Sequence, residues 1–150
     1  MHETIRVGEM SVTFLKTRHE TGGRLDLFEL TIPPQTHLVV PHIHRDYDEI
    51  AFGMNGVVTF TVEGQRIQVA HGDKLSIPRG KPHYFGNYQK TAARVMCLYT
   101  PGVMGPEYFR EIAACFDMNG KPDVAGIGAV MLRYGVIPTS RGQRLTSLVV

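Results

Sequence analysis

The first hundred residues break into short β-forming runs punctuated by glycine and proline, and that rhythm allows few folds. The segment "TIRVGEMSVTFLKT" is rich in Val, Ile, Thr and Phe. In "RLDLFELTI", Leu25, Leu27 and Glu29 alternate with Asp26, Phe28 and Leu30. "VVTFTVEGQRIQVA" predicts a hairpin turning at Glu63-Gly64. "KLSIP" and "ARVMCLYT" add two more strands. Short strands at this spacing close into an antiparallel sandwich or barrel. After Thr100 the period changes. Pro106 suits a first helical position, with Glu107 in the first turn. Phe109, Ile112, Ala113 and Phe116 then form a stripe, expected to pack a helix on the outside of the barrel. Val124, Ile127, Met131 and Tyr134 repeat the pattern up to Gly135, although Gly126 and Gly128 weaken this second helix. Residues 1–150 therefore read as one all-β domain. The barrel covers about 1–100 and a C-terminal helical appendage about 105–135.

Composition excludes several classes. A chain of 150 residues buries about 70% of the surface its unfolded form exposes and needs no disulfide to fold. The 16 basic and 14 acidic residues are scattered, so no nucleic-acid partner is expected. No apolar run approaches a membrane span, and the N-terminus lacks a signal-peptide pattern. Cys97 and Cys115 are isolated thiols that fit a reducing cytoplasm.

The chemistry gathers in "PHIHRDYDEIAFGMNG". On a strand, His42 and His44 point the same way and both imidazoles reach one ion. Glu49 stands at an odd offset from His44, which an unbroken strand would turn to the opposite face. A bend or bulge in the polar "RDYD" would return it. Two histidines and a carboxylate on one wall suit iron, manganese and related ions. Asp46 and Asp48 compete with Glu49 for the carboxylate role. A second segment, "GDKLSIPRGKPHYFGN", contains His83 after a proline-glycine turn.

Together the two segments resemble the signature motifs of the cupin superfamily. His42, His44, Glu49 and Gly56 match the first motif, and Gly72, Pro78, Gly80, His83 and Asn87 the second. Thr36 stands where the family usually has a turn glycine ahead of the first histidine. The resemblance covers roughly residues 21–100. The C-terminal segments also look like small single-domain bacterial cupins of the quercetin-dioxygenase-like kind. The resemblance implies a double-stranded β-helix, or jelly roll. It also implies His83 as a fourth ligand and one divalent transition metal ion per chain: Fe, Mn, Ni, Co, Cu or Zn. Glu49 ranks above Asp46 and Asp48 because its distance to Gly56 fits the motif.

The expected function is a metal-dependent dioxygenase or related oxidoreductase acting on a small phenolic or enolisable molecule, with Glu49 as general base. A metal-dependent isomerase or lyase, or a non-catalytic small-molecule-binding protein, are the alternatives. By alternation from Glu49 and His83, Ala51, Gly53 and Phe85 would line a substrate pocket beside the ion. Ile50, Phe52 and Met54 would face outward and be covered by the tail or by the second subunit of a homodimer.

Overall fold

Alternation of large apolar and polar side chains makes each strand one-sided. The computed structural model, which describes residues 2–139 apart from the side chains of Leu38 and Val39, shows how those sides meet. The strands are β1 (Thr4–Val7), β2 (Met10–Lys16), β3 (Asp26–Ile32), β4 (Thr36–His44), β5 (Asp48–Asn55) and β6 (Val58–Val62). They continue as β7 (Gln65–Val69), β8 (Lys74–Ile77), β9 (His83–Asn87), β10 (Ala93–Thr100) and β11 (Val136–Pro138). The helices are α1 (Gly105–Ala113) and α2 (Val124–Arg133). One sheet runs β1-β2-β3-β10-β5-β8 and the other β11-β4-β9-β6-β7, and the pairings are antiparallel. The chain switches sheets after β3, β4, β5, β7, β8, β9 and, by way of the helices, β10, the winding of a jelly roll.

Turn chemistry follows the backbone. The β6–β7 hairpin turns at Glu63 and Gly64, with φ of 49° and 82°, as a two-residue primed turn requires. Ahead of β4, Gln35 takes the left-handed conformation with φ 54°. The turn that a glycine usually serves is thus made one residue before Thr36.

The core lies between the sheets. Phe28 is fully buried, with ring centroids 5.2 Å from Phe14, 4.8 Å from Tyr99 and 5.1 Å from Phe109. Phe109 belongs to α1, so the helical stripe does not sit outside the barrel. α1 packs against β1 and α2 against β11, which are the edge strands of the two sheets. The helices close the seam and turn Phe109, Ile112, Ile127 and Met131 inward. α2 forms in spite of its two glycines. Asp123 caps it by accepting a hydrogen bond from the Gly126 N–H at 3.1 Å, and Gly135, with φ 74°, follows its end. β11 extends the C-terminal region beyond the helices and pairs Val136 with His44 and Pro138 with His42.

Candidate metal centre

β4 and β9 lie side by side with His42 opposite His83. His44, two residues along β4, shares the face of His42. The three imidazoles are buried, and each offers a nitrogen within 4.8 Å of the others. The backbone orients two of them. The Nδ1 of His42 lies 3.0 Å from the Val40 carbonyl and that of His83 2.9 Å from the Lys81 carbonyl. Since a carbonyl only accepts, each Nδ1 carries the proton, which leaves the His42 Nε2 lone pair free for an ion, an arrangement common among metal-binding histidines, while His83 Nε2 faces the Glu49 carboxylate. His44 Nδ1 is buried without a hydrogen-bond partner.

Glu49 comes from the opposite sheet. The "RDYD" segment is the corner where the chain passes from β4 to β5, and crossing the sandwich returns Glu49 to the interior. A change of sheet replaces the expected bulge. The Glu49 carboxylate lies 3.3 Å from His83 Nε2 and 3.6 Å from His44 Nδ1, at the edge of the histidine group. Asp46 pairs with Arg45 and Asp48 with Arg79, both partly exposed. Glu49 is therefore the carboxylate that meets the histidines.

Burial, then the neighbouring His83, pushes the His42 pKa down to about 3. Burial also drives His44 well below its ordinary value, helped by His42 and His83. At His83 burial again opposes the charge, but the hydrogen-bonded Glu49 carboxylate prevails and raises the pKa. His42 and His44 are thus held as neutral imidazoles, the form that binds metal. Three buried imidazoles, two of them held neutral and one of those (His44) with a nitrogen left without a partner, beside a carboxylate fit a divalent transition metal.

Tyr47, inside the polar corner, is fully buried and stacks on His44 with ring centroids 4.4 Å apart. Tyr99 lies 4.7 Å from Tyr47 and 5.3 Å from His44. Sequence reading missed both, because an aromatic in a polar run looks like turn decoration and Tyr99 lies far along the chain. Cys97 is buried as expected, and burial together with the Glu49 charge raises its thiol pKa.

A cavity of about 110 Å³ adjoins His42 and His44. Phe85 lines it, as alternation predicts. Ala51 and Gly53 do not. Ala51 is fully buried in register with Cys97 and Leu75. At Gly53 a Cβ would stand 1.8 Å from the Ala70 carbonyl oxygen, so the space its missing side chain leaves holds backbone. Both are buried, but neither lines the cavity, and the Ala70 carbonyl occupies the room beside Gly53.

The family model for the cupin domain matches residues 28–99. No curated protein matches the chain in sequence. Among solved structures, KdgF from Halomonas sp. is similar at 17% identity and a TM-score of 0.57, over 67% of this chain and 86% of its own. A predicted oxalate decarboxylase from Thermotoga maritima is similar at 19% identity and a TM-score of 0.59, over 67% and 92%. The polyketide cyclase RemF from Streptomyces resistomycificus is similar at 20% identity and a TM-score of 0.56, over 66% and 73%. At such identities the likeness is one of fold.

Proposed function

This chain carries a small cupin domain, and on that premise we propose a metal-dependent oxidoreductase of the dioxygenase kind, acting on a small phenolic or enolisable molecule. His42, His44 and His83 would hold one divalent ion, with Glu49 as fourth donor. Such an ion supplies Lewis acidity that lowers the pKa of a bound phenol or enol oxygen. The residues do the rest. His42 would present a lone pair fixed by its bond to a backbone carbonyl, and His83 would do so once the ion replaces the proton it shares with Glu49. Glu49 takes the substrate proton as general base. The aromatic and aliphatic walls keep water from the reacting face. The observation that carries this reading is a buried three-histidine group, two of whose rings line an apolar cavity.

The test is metal analysis of protein purified without chelator, followed by oxygen uptake with catechols and diketones. One ion per chain and oxygen consumed with substrate are expected. Replacing His42 and His44 together by alanine should abolish stoichiometric metal, and full occupancy in that variant would place the site elsewhere. Turnover without oxygen would favour the second reading, an isomerase or lyase with the same ion. Ligand binding without product would mean a binding protein.

The proposal extends to the whole chain as one domain in a reducing cytoplasm, assembled as a homodimer. Leu98 on β10 stands between Leu27 on β3 and Ile50 on β5, and Met96 beside Phe52. These side chains are partly exposed on the outer sheet face, and the helices pack at the seam instead. A second copy would cover this row. Among the described residues no helix is long and apolar enough to cross a membrane.

A further inference from the structure

The walls of the cavity discriminate among ligands. Phe28, Phe85, Phe109, Ile112, Met131 and Val136 are among the apolar residues that line it. Among the described lining residues none is Asp, Glu, Lys or Arg. Tyr99, Tyr108, His42 and His44 are the lining residues with polar side-chain atoms. The buried Asp26 nearby is already engaged, accepting from the Arg18 N–H at 2.8 Å and the Gly105 N–H at 3.0 Å. Most lining residues are buried, while Phe85 and Phe116 are half-buried and mark where the space meets solvent.

Charge balance sets the first limit. A divalent ion with the Glu49 carboxylate and three neutral imidazoles carries one net positive charge. One ionised substrate oxygen cancels it. A second charge on the same molecule would face hydrocarbon with no partner, an expensive burial. Size sets the second limit. Cavities of roughly 150 Å³ lined by Leu, Ile and Phe hold one benzene, and this one measures about 110 Å³. The enclosed space is thus smaller than a benzene site, so a single substituted ring enters it only in part and a three-ring flavonol leaves most of its bulk outside.

Resting on the metal-centre reading above, we infer that the site takes a compact molecule with one acidic oxygen and no other charge, oriented by the Tyr99 and Tyr108 hydroxyls. Carboxylate-bearing, phosphorylated and flavonol-sized analogues are rejected.

The experiment uses the full chain and separates the two readings. Cobalt(II) is first bound by dialysis and its visible absorption recorded, which tests the metal centre alone. Catechol, protocatechuate (the same ring with a carboxylate) and quercetin are then titrated against the cobalt band. Catechol should shift the band, protocatechuate should bind more than about 100-fold more weakly, and quercetin should leave the band unchanged. Comparable binding of protocatechuate or quercetin, or no response to catechol, overturns the inference while the metal centre stands. If cobalt does not bind, the metal reading falls, and phenol against benzoate on the unloaded protein, followed by ligand-observed NMR, decides the inference. Phenol alone binding upholds it, and benzoate binding equally, or neither binding, overturns it. Tyr99→Phe and Tyr108→Phe should each weaken catechol by about 2- to 12-fold with the cobalt band retained. Unchanged affinity in both variants overturns the role given to the hydroxyls.

Discussion

Gly53 shows what a single missing methyl can do. The Ala70 carbonyl runs so close that any side chain must displace backbone, and Gly53 N–H also donates to the Asp73 carbonyl at 2.9 Å. Gly53→Ala should cost about 3 kcal/mol, read as a lower urea midpoint, and protein that still folds should keep its metal stoichiometry. Glu49→Gln gives the opposite pattern, because the histidine group stands without it. Metal affinity should fall while the chain remains folded, as titration and circular dichroism would check. Unchanged affinity would remove Glu49 from the donor set. The imidazoles were legible in the sequence because strand alternation and motif spacing both point to them. Rejecting Asp46 and Asp48 on geometry needed the sheet crossing and the arginines that hold them outside. Tyr47 was illegible, since its burial comes from His44 and Tyr99 closing around it.

The helices matter through what they seal. Phe109 reaches across the seam to Phe14 and Phe28 and also touches Tyr108. Phe109→Ala should cost about 3–5 kcal/mol and open the cavity wall, seen as a lower melting temperature with stronger binding of a hydrophobic dye. Asp123→Ala removes only the α2 cap and should cost about 1 kcal/mol without changing metal content. Helical periodicity located both elements, but it cannot say which surface a stripe meets, so inside and outside were exchanged. β11 escaped notice for another reason. Three residues carry no readable period, and their strand character comes from pairing with β4, more than ninety positions earlier.

For the whole molecule, the exposed apolar row across β3, β10 and β5 bears on assembly. Light scattering should report a dimer, and Leu98→Glu should shift it to monomer with an unchanged circular dichroism spectrum. A wild-type monomer at every working concentration would leave the row without a second subunit. The antiparallel sandwich was legible because strand lengths and turns repeat so regularly, whereas the closed seam depends on long-range contacts. That seam also imposes an order in time. Ribosomes release a protein from its N-terminus, and its parts can begin to fold in that sequence. By Thr100 the growing chain already owns all three imidazoles and Glu49, yet β4 still has a bare flank, because β11 comes from Val136–Pro138. The ion-binding groups are therefore delivered first and their chamber last, and a nascent chain paused between the two would hold its donors at an open edge.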